Sequence, residues 1–249
     1  MKRKLDWLLH SKNVEIVFED EHLLVLNKPA NLLVLPDRYN EKLPNLSSIL
    51  NGELGKVYVV HRIDRETSGV IVFAKTPTAH AKLSSQFEGR DVEKVYQAIV
   101  VGTAINDEGC IDAPLAESAR QPGVMRVDQK GGKESITDYI VLERFRGYAF
   151  VGIRPRTGRT HQIRVHLQSI GVPILADKLY GDGRGFFLSG IKEHYKSEGE
   201  EKPLLERTAL HAAAIGFSHP ATGERLSLTI PMPKDMSSVL KYLRKFRKA

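Results

Sequence analysis

Short apolar runs alternate with polar turns along the chain and predict a mixture of strands and helices. Val14 to Pro29 holds two β-rich runs around an acidic turn, which is typical of a hairpin. Val57–Val60 and Val70–Ala74 predict two further strands, with a dense polar segment between them. The other predicted strands are Lys94–Val101, Thr137–Leu142 and Ala149–Arg154, and the predicted helices are Leu46–Leu50, Thr78–Phe87 and Gln162–Ser169.

Three segments outside this pattern are strongly polar. Residues 120–135 predict an exposed loop, and residues 183–207 predict a mobile insertion. Residues 234–249 predict an amphipathic basic helix, whose charged face is either simply solvated or adds a contact to phosphates. No repeat or flexible linker divides the sequence, so we expect one mixed α/β domain over residues 1–249.

Composition narrows the class of protein. The 249 residues are 41% hydrophobic and 27% charged, which is typical of a globular chain with a substantial core. There are 37 Lys and Arg against 30 Asp and Glu, a net charge of +7 that favours a polyanionic partner. The single cysteine, Cys110, excludes an intramolecular disulfide framework and any zinc site with two thiolates.

The same counts bear on location. A lone cysteine is consistent with a reducing compartment, and no apolar run approaches the ~20 residues that span a bilayer. The basic start, Met1 to His10, has too short an apolar part for a signal peptide. We therefore expect a cytoplasmic protein that does not act at a membrane, and we expect it to be a monomer.

Several common chemistries lack their motifs. The sequence contains no phosphate-binding loop with Gly-Lys-Ser/Thr, no Gly-x-Gly-x-x-Gly after a strand, and no His-Glu-x-x-His. His161 and His166 are five residues apart and would diverge on a helix, so they do not suggest a metal site. We expect neither a metal nor a cofactor.

Two polar clusters remain as candidates for chemistry. The nonapeptide His61 to Gly69 (His-Arg-Ile-Asp-Arg-Glu-Thr-Ser-Gly) lies between two predicted strands, where a rigid sheet can orient its side chains. Residues 154–164 carry four arginines in eleven residues. If the clusters meet, an arginine could keep Asp64 ionised in a partly desolvated pocket, ready for nucleophilic attack or proton abstraction. The alternative is that Asp64 only forms a turn or caps a helix.

The nonapeptide resembles the central motif of the RluA family of pseudouridine synthases, with Ile63 in place of a usual Leu. The resemblance covers most of the chain, and its motifs occur in the family's order. They are Asn27 to Pro29, Glu93 to Tyr96, Gly132 and Lys133 with Thr137 and Tyr139, Thr157 to Arg164, Asp177 with Tyr180 and Gly181, Leu210 to Ala212, and Phe217 to Pro220.

The resemblance implies the α+β pseudouridine synthase fold, a bent, mixed and mainly antiparallel sheet with flanking helices and a central cleft. It also implies a cofactor-free enzyme that isomerises uridine in RNA. Asp64 would be catalytic and Arg164 its ion-pair partner. Tyr96 would pack on the target base and assist proton removal from carbon five, while Leu210 would close the pocket. Arg62 would fill the space left by the flipped uridine.

Some alternatives stay open on the sequence alone. Asp64 could attack the sugar, attack the base, or abstract a sugar proton. Tyr96 and Leu210 are of the types that usually pack in a core. Two rival functions are a non-catalytic RNA-binding module and an N-glycosidase that releases free uracil.

The partner expected from the resemblance is structured RNA, either rRNA or tRNA, rather than DNA. Many family members carry an S4-type RNA-binding domain before the catalytic one. Only about thirteen residues precede the first predicted strand here. We therefore expect no S4 domain, and expect target selection to rest on the catalytic domain.

Overall fold

The computed structural model describes residues 9, 11–37, 40–103, 105–195 and 199–249. The chain divides into two compact units, Met1–Lys94 with Ala212–Pro231 and Val95–His211 with Met232–Ala249. A single catalytic domain stays a prediction. The expectation of a missing signal peptide falls on a segment that, Leu9 apart, lies outside the described residues.

The described elements follow in chain order. The strands are β1 Glu15–Glu19, β2 Leu23–Lys28, β3 Tyr58–Val59, β4 Ser68–Ala74, β5 Glu93–Val101, β6 Glu108–Asp112, β7 Leu115–Glu117, β8 Met125–Val127, β9 Ile136–Phe145, β10 Tyr148–Pro155, β11 Leu210–Ser218 and β12 Arg225–Thr229. The helices are α1 Leu46–Leu54, α2 Pro77–Glu88, α3 Gln162–Ser169 and α4 Lys234–Phe246. None of these helices has the length and hydrophobicity needed to cross a membrane.

The first unit contains a sheet in the order β1-β2-β4-β11, with β3 paired to β4 and β12 to β11. The predicted hairpin is confirmed as the antiparallel pair β1–β2. Strand β4 is buried along its whole length, as its continuous run of apolar residues predicts. Helix α2 starts where the Thr76 side chain accepts a hydrogen bond from the Ala79 backbone, with Pro77 at its first position.

The second unit contains the antiparallel order β5-β10-β9-β6 and a separate β7–β8 hairpin. Helix α3 has the predicted bounds, Gln162–Ser169. Helix α4 begins at Lys234 and buries Met236, Val239, Leu240 and Leu243. Both units combine helices with antiparallel strands, so the α+β prediction is confirmed.

Two polar segments contain β-structure that the sequence did not predict. The proposed loop 120–135 contains strand β8, because Met125–Val127 pairs with β7. In the segment 183–207, Phe186 and Leu205 form a β-bridge, and both are buried in the core together with Ile191. These apolar anchors tie the described part of the segment to the second unit, and its mobility stays a prediction.

Candidate active site

The nonapeptide forms the connection from β3 to β4 in the first unit, and its turn fixes the position of Asp64. The Thr67 N–H donates to the Asp64 carbonyl at 3.1 Å. Thr67 and Ser68 are buried, Asp64 is partly buried, and Arg62 is exposed. Strand β4 begins at Ser68, so Asp64 does not cap a helix. The other alternative, that Asp64 only forms a turn, stays open, because the Thr67 contact closes a turn at this residue.

Lys28 binds the same loop through its ammonium group, although sequence reasoning gave this residue no role. It is fully buried, and its ammonium donates to the carbonyls of Pro29, Leu32 and Arg65 at 2.9, 2.8 and 3.1 Å. A buried cation is tolerated only with such partners. The signal was present in the sequence, because Lys28 lies in the quoted Asn-Lys-Pro motif and ends a strand that begins with four apolar residues.

Gly69 permits the close approach of strands β4 and β11. Its φ is +115°, and a Cβ added there would overlap the backbone of Ala212. Only glycine fits such a position without strain. The last residue of the nonapeptide therefore serves packing, and it places the strand that follows Asp64.

His61 is a neutral structural residue. Its Nε2 accepts the Val72 N–H at 3.0 Å, and its ring stacks on Phe87 at 4.7 Å between centroids. Burial, together with the Lys94 charge, lowers the pKa of His61 to about 3. This ring is uncharged at neutral pH and provides no acid or cation for the site.

In the second unit, Arg164 on α3 forms a bidentate ion pair with Asp177. Its Nε and Nη2 lie 2.7 and 2.8 Å from the two carboxylate oxygens, with Arg164 6% exposed and Asp177 fully buried. The backbone N–H groups of Leu179 and Tyr180 also donate to Asp177. Burial raises the pKa of Asp177, but the Arg164 guanidinium and these N–H donors outweigh it and hold the pKa below its usual value.

Tyr180 completes the surroundings of Arg164. The guanidinium lies 5.0 Å from the centre of the Tyr180 ring, a cation–π distance. The Tyr180 hydroxyl accepts the Met125 N–H at 2.8 Å and bonds His161 Nδ1 at 2.8 Å. Because Met125 begins β8, Tyr180 connects the β7–β8 hairpin to helix α3.

Much of the second motif serves to fix the start of α3. Gln162 accepts from the Thr157 hydroxyl at 2.8 Å and donates to Thr137 at 2.9 Å. His166 Nδ1 lies 2.9 Å from the same Thr137 hydroxyl, and its Nε2 lies 2.9 Å from the Ala113 carbonyl. These buried groups satisfy one another, so they hold helix α3, and Arg164 with it, in a fixed position.

Tyr96 and Leu210 also belong to the second unit, because the boundary between the units falls within β11, after His211. Tyr96 lies opposite Ile153 in the β5–β10 pair and is partly buried against the core. Leu210 is 3% exposed at the start of β11, and its carbonyl accepts from Arg207 at 3.1 Å. Leu210 belongs to the hydrophobic core of this unit, and its role in closing a pocket stays a prediction.

The predicted site residues thus fall into two sets. Arg62 and Asp64 share the loop of the first unit, while Tyr96, Arg164 and Leu210 belong to the second. The ion pair between Asp64 and Arg164 stays a prediction. Sequence reasoning missed Asp177 as a partner of Arg164, because a pair thirteen residues apart leaves no periodic signal.

Comparisons with known proteins identify the family to which the chain belongs. The sequence profile described as RNA pseudouridylate synthase matches residues 22–169, more than half of the chain. The ribosomal large subunit pseudouridine synthase D of Pseudomonas aeruginosa is 39% identical over 249 residues, 98% of this chain and 76% of that protein. An uncharacterized RNA pseudouridine synthase of Bacillus subtilis, YlyB, is 36% identical and covers 97% of this chain and 76% of its own.

A solved structure supports the same conclusion. Human RNA pseudouridylate synthase domain containing 4 has a TM-score of 0.72 and 27% identity, and the match covers 98% of each chain. The fold and the two motifs define an RNA-modifying isomerase. The chain belongs to the RNA pseudouridylate synthase family. It isomerises uridine to pseudouridine in RNA, and the expected pseudouridine synthase fold is confirmed.

Proposed function

We propose that the RNA substrate is ribosomal RNA of the large subunit and that Asp64 is the catalytic carboxylate. The names of the relatives from Pseudomonas aeruginosa and Zymomonas mobilis support the choice of RNA. The observation that carries the choice of residue is the partly buried position of Asp64 on a turn between two strands, clamped by Lys28. The net charge of +7 favours the same polyanionic substrate.

The reaction needs no other reactant. The bond from ribose C1′ to uracil N1 breaks, the base turns, and a bond from C1′ to C5 forms. The proton on C5 leaves and N1 gains one, so the atoms balance without an oxidant or a donor. In this reaction, one positioned carboxylate can act as the nucleophile or accept a proton, since neither step requires a metal or a second acid.

The remaining residues have proposed roles around that carboxylate. Arg164, which Asp177 holds in place, is proposed as the ion-pair partner of Asp64, as the family motif implies. Tyr96 packs on the base and assists proton removal from C5, and Leu210 closes the apolar side. These roles follow from the family motif, and the rigid mounting of Arg164 and Leu210 supports them.

Base flipping belongs to the same proposal. A uridine in folded RNA is out of reach until it leaves the stack, which costs a few kcal/mol. Arg62 is exposed two residues before Asp64, so a flexible cation stands beside the proposed catalytic group. We assign Arg62 to the space that the flipped base leaves.

The proposed location is the cytoplasm, and the proposed assembly is a monomer. A protein with one cysteine fits the reducing cytoplasm, and the substrate proposed here is handled there. We propose that the enzyme works as a monomer. Light scattering of the active enzyme at assay concentration tests this, and a dimer mass would contradict it.

Tritium release from RNA labelled at C5 of uridine tests the proposal. Large-subunit rRNA and tRNA transcripts are compared, with Asp64→Asn as the test variant and Glu66→Gln, on the same loop, as its matched control. Wild type and Glu66→Gln should release label from the rRNA, while Asp64→Asn should not. Release from tRNA alone would contradict the rRNA assignment, and release by Asp64→Asn would contradict the catalytic one.

A further inference from the structure

Helix α4 carries a line of lysines along its outer side. Lys234, Lys241 and Lys245, here called the basic stripe, are all exposed. At ~100° per residue, the second and third lie within roughly 20° of the first around the helix axis. At ~1.5 Å per residue, the stripe extends over about 16 Å.

The core fixes the direction in which the stripe points. The buried residues of α4, Met236, Val239, Leu240 and Leu243, occupy the opposite side of the helix and belong to the main core of the second unit. Rotation of α4 would expose these four side chains. The stripe is therefore held toward solvent by hydrophobic burial on the far side.

The carboxylates beside the helix are already occupied. Asp235 pairs with Arg207 at 2.8 and 2.9 Å, and Glu143 pairs with Arg244 at 2.9 and 2.8 Å. Within the part of the chain that the structure describes, no carboxylate forms an ion pair with a stripe lysine. The stripe keeps its three positive charges.

Further cations adjoin the end of the stripe. The ammonium groups of Lys245 and Lys192 lie 5.3 and 6.0 Å from the Phe246 ring centre, and Lys192 also lies 5.3 Å from that of Tyr195. Arg146 donates to the Phe246 carbonyl at 3.3 Å. These contacts place two more exposed cations beside the last turn of α4.

We propose that the basic stripe binds the phosphate backbone of the RNA substrate. An RNA strand presents a regular row of negative charges, and a straight row of lysines about 16 Å long on a rigid helix complements it. Such contacts position the RNA and read no sequence. The proposal rests on RNA as the substrate, and it adds a binding surface to the motifs that carry the chemistry.

The test replaces the three stripe lysines with glutamine and measures RNA binding against salt. The matched control replaces Lys12, Lys42 and Lys56, which are exposed lysines of the first unit. Both triple variants change the net charge from +7 to 7 − 3 = +4. A third variant with arginine at the stripe positions keeps the charge.

Each lost phosphate contact should reduce the slope of log affinity against log salt by about 0.7–0.9. The stripe variant should therefore lose about 2–3 from the slope and bind at least about tenfold more weakly at 100 mM salt. The control and the arginine variant should stay close to wild type. The kcat at saturating RNA should be unchanged, since α4 carries none of the proposed catalytic residues.

A slope change no larger than that of the control would overturn the proposal. The assay uses whichever transcript the wild type modifies, so its outcome is independent of the rRNA assignment. Failure of the Asp64 assignment would appear as retained tritium release in Asp64→Asn, and it would leave the salt slope untouched. Circular dichroism of each variant confirms that the helix remains folded.

Discussion

Asp177→Ala should destabilise the protein strongly, because it leaves the Arg164 guanidinium buried without its carboxylate. Arg164 is 6% exposed and Asp177 fully buried, so water cannot replace the lost partner. The change also removes the acceptor of two backbone N–H groups, those of Leu179 and Tyr180. Breaking such a pair from one side costs about 3–5 kcal/mol, which corresponds to a fall in Tm of roughly 6–20 °C for a chain of this size.

The chain offers a control with the same geometry and a different exposure. Asp138 and Arg156 also form a bidentate pair, at 2.6 and 2.8 Å, but their side chains are 32% and 58% exposed. Asp138→Ala should cost only about 0–1 kcal/mol, because water solvates the arginine left behind. Both acids lie in the second unit, so one urea transition followed by circular dichroism reports on both.

A double variant separates the cost of the unpaired buried charge from the cost of the lost contacts. In Asp177→Ala/Arg164→Met, the unpaired buried charge is gone, and the free energy of unfolding should recover by 1 kcal/mol or more, a rough figure for removing such a charge. The reasoning is refuted if Asp177→Ala and Asp138→Ala lose the same stability, or if the double variant is less stable than Asp177→Ala alone.

Three further changes test the first unit. Gly69→Ala should prevent correct folding, since its Cβ would overlap the Ala212 backbone; a soluble variant with wild-type Tm would contradict this. Lys28→Met should lower Tm and kcat together, because the Arg65 carbonyl loses its donor at a cost of roughly 3 kcal/mol. An unchanged kcat would show that Lys28 does not position the loop for catalysis. The pKa of His61 is about 3 in the folded protein and 6.5 in the unfolded chain. As the pH drops below 6.5, the unfolded chain therefore binds a proton that the folded protein does not, and the free energy of unfolding falls. His61→Gln should therefore lose less stability than wild type between pH 7 and 4 in urea titrations, and an equal loss would refute the lowered pKa of His61.

Elements with a strong local pattern were predicted well, and those set by tertiary contacts were not. The β1–β2 hairpin and α3 follow directly from β-rich runs and helical spacing. Strand β11 was missed because its run of alanines has no β propensity, and only burial between neighbouring strands makes it extended. Strand β6 was missed because its five residues show little alternation. Strand β12 was missed although Arg-Leu-Ser-Leu-Thr alternates, because the run is only five residues long.

The candidate site shows the same division. The nonapeptide and Arg164 stood out because clustered charges beside strands are unusual. The partners that hold them, Lys28 and Asp177, are single residues 37 and 13 positions away in the sequence, and no spacing rule connects them to the loop or the helix. Sequence reasoning therefore proposed the chemical groups, whose roles stay predictions, and the structure showed the partners that hold them.

The central claim, that Asp64 carries out uridine isomerisation in large-subunit rRNA, is tested most directly by tritium release from C5-labelled rRNA with Asp64→Asn beside wild type. The account predicts release by wild type, none by Asp64→Asn, and RNA affinity within about tenfold in the variant, because the substitution removes a charge and little volume. Release by Asp64→Asn at the wild-type rate would contradict the account.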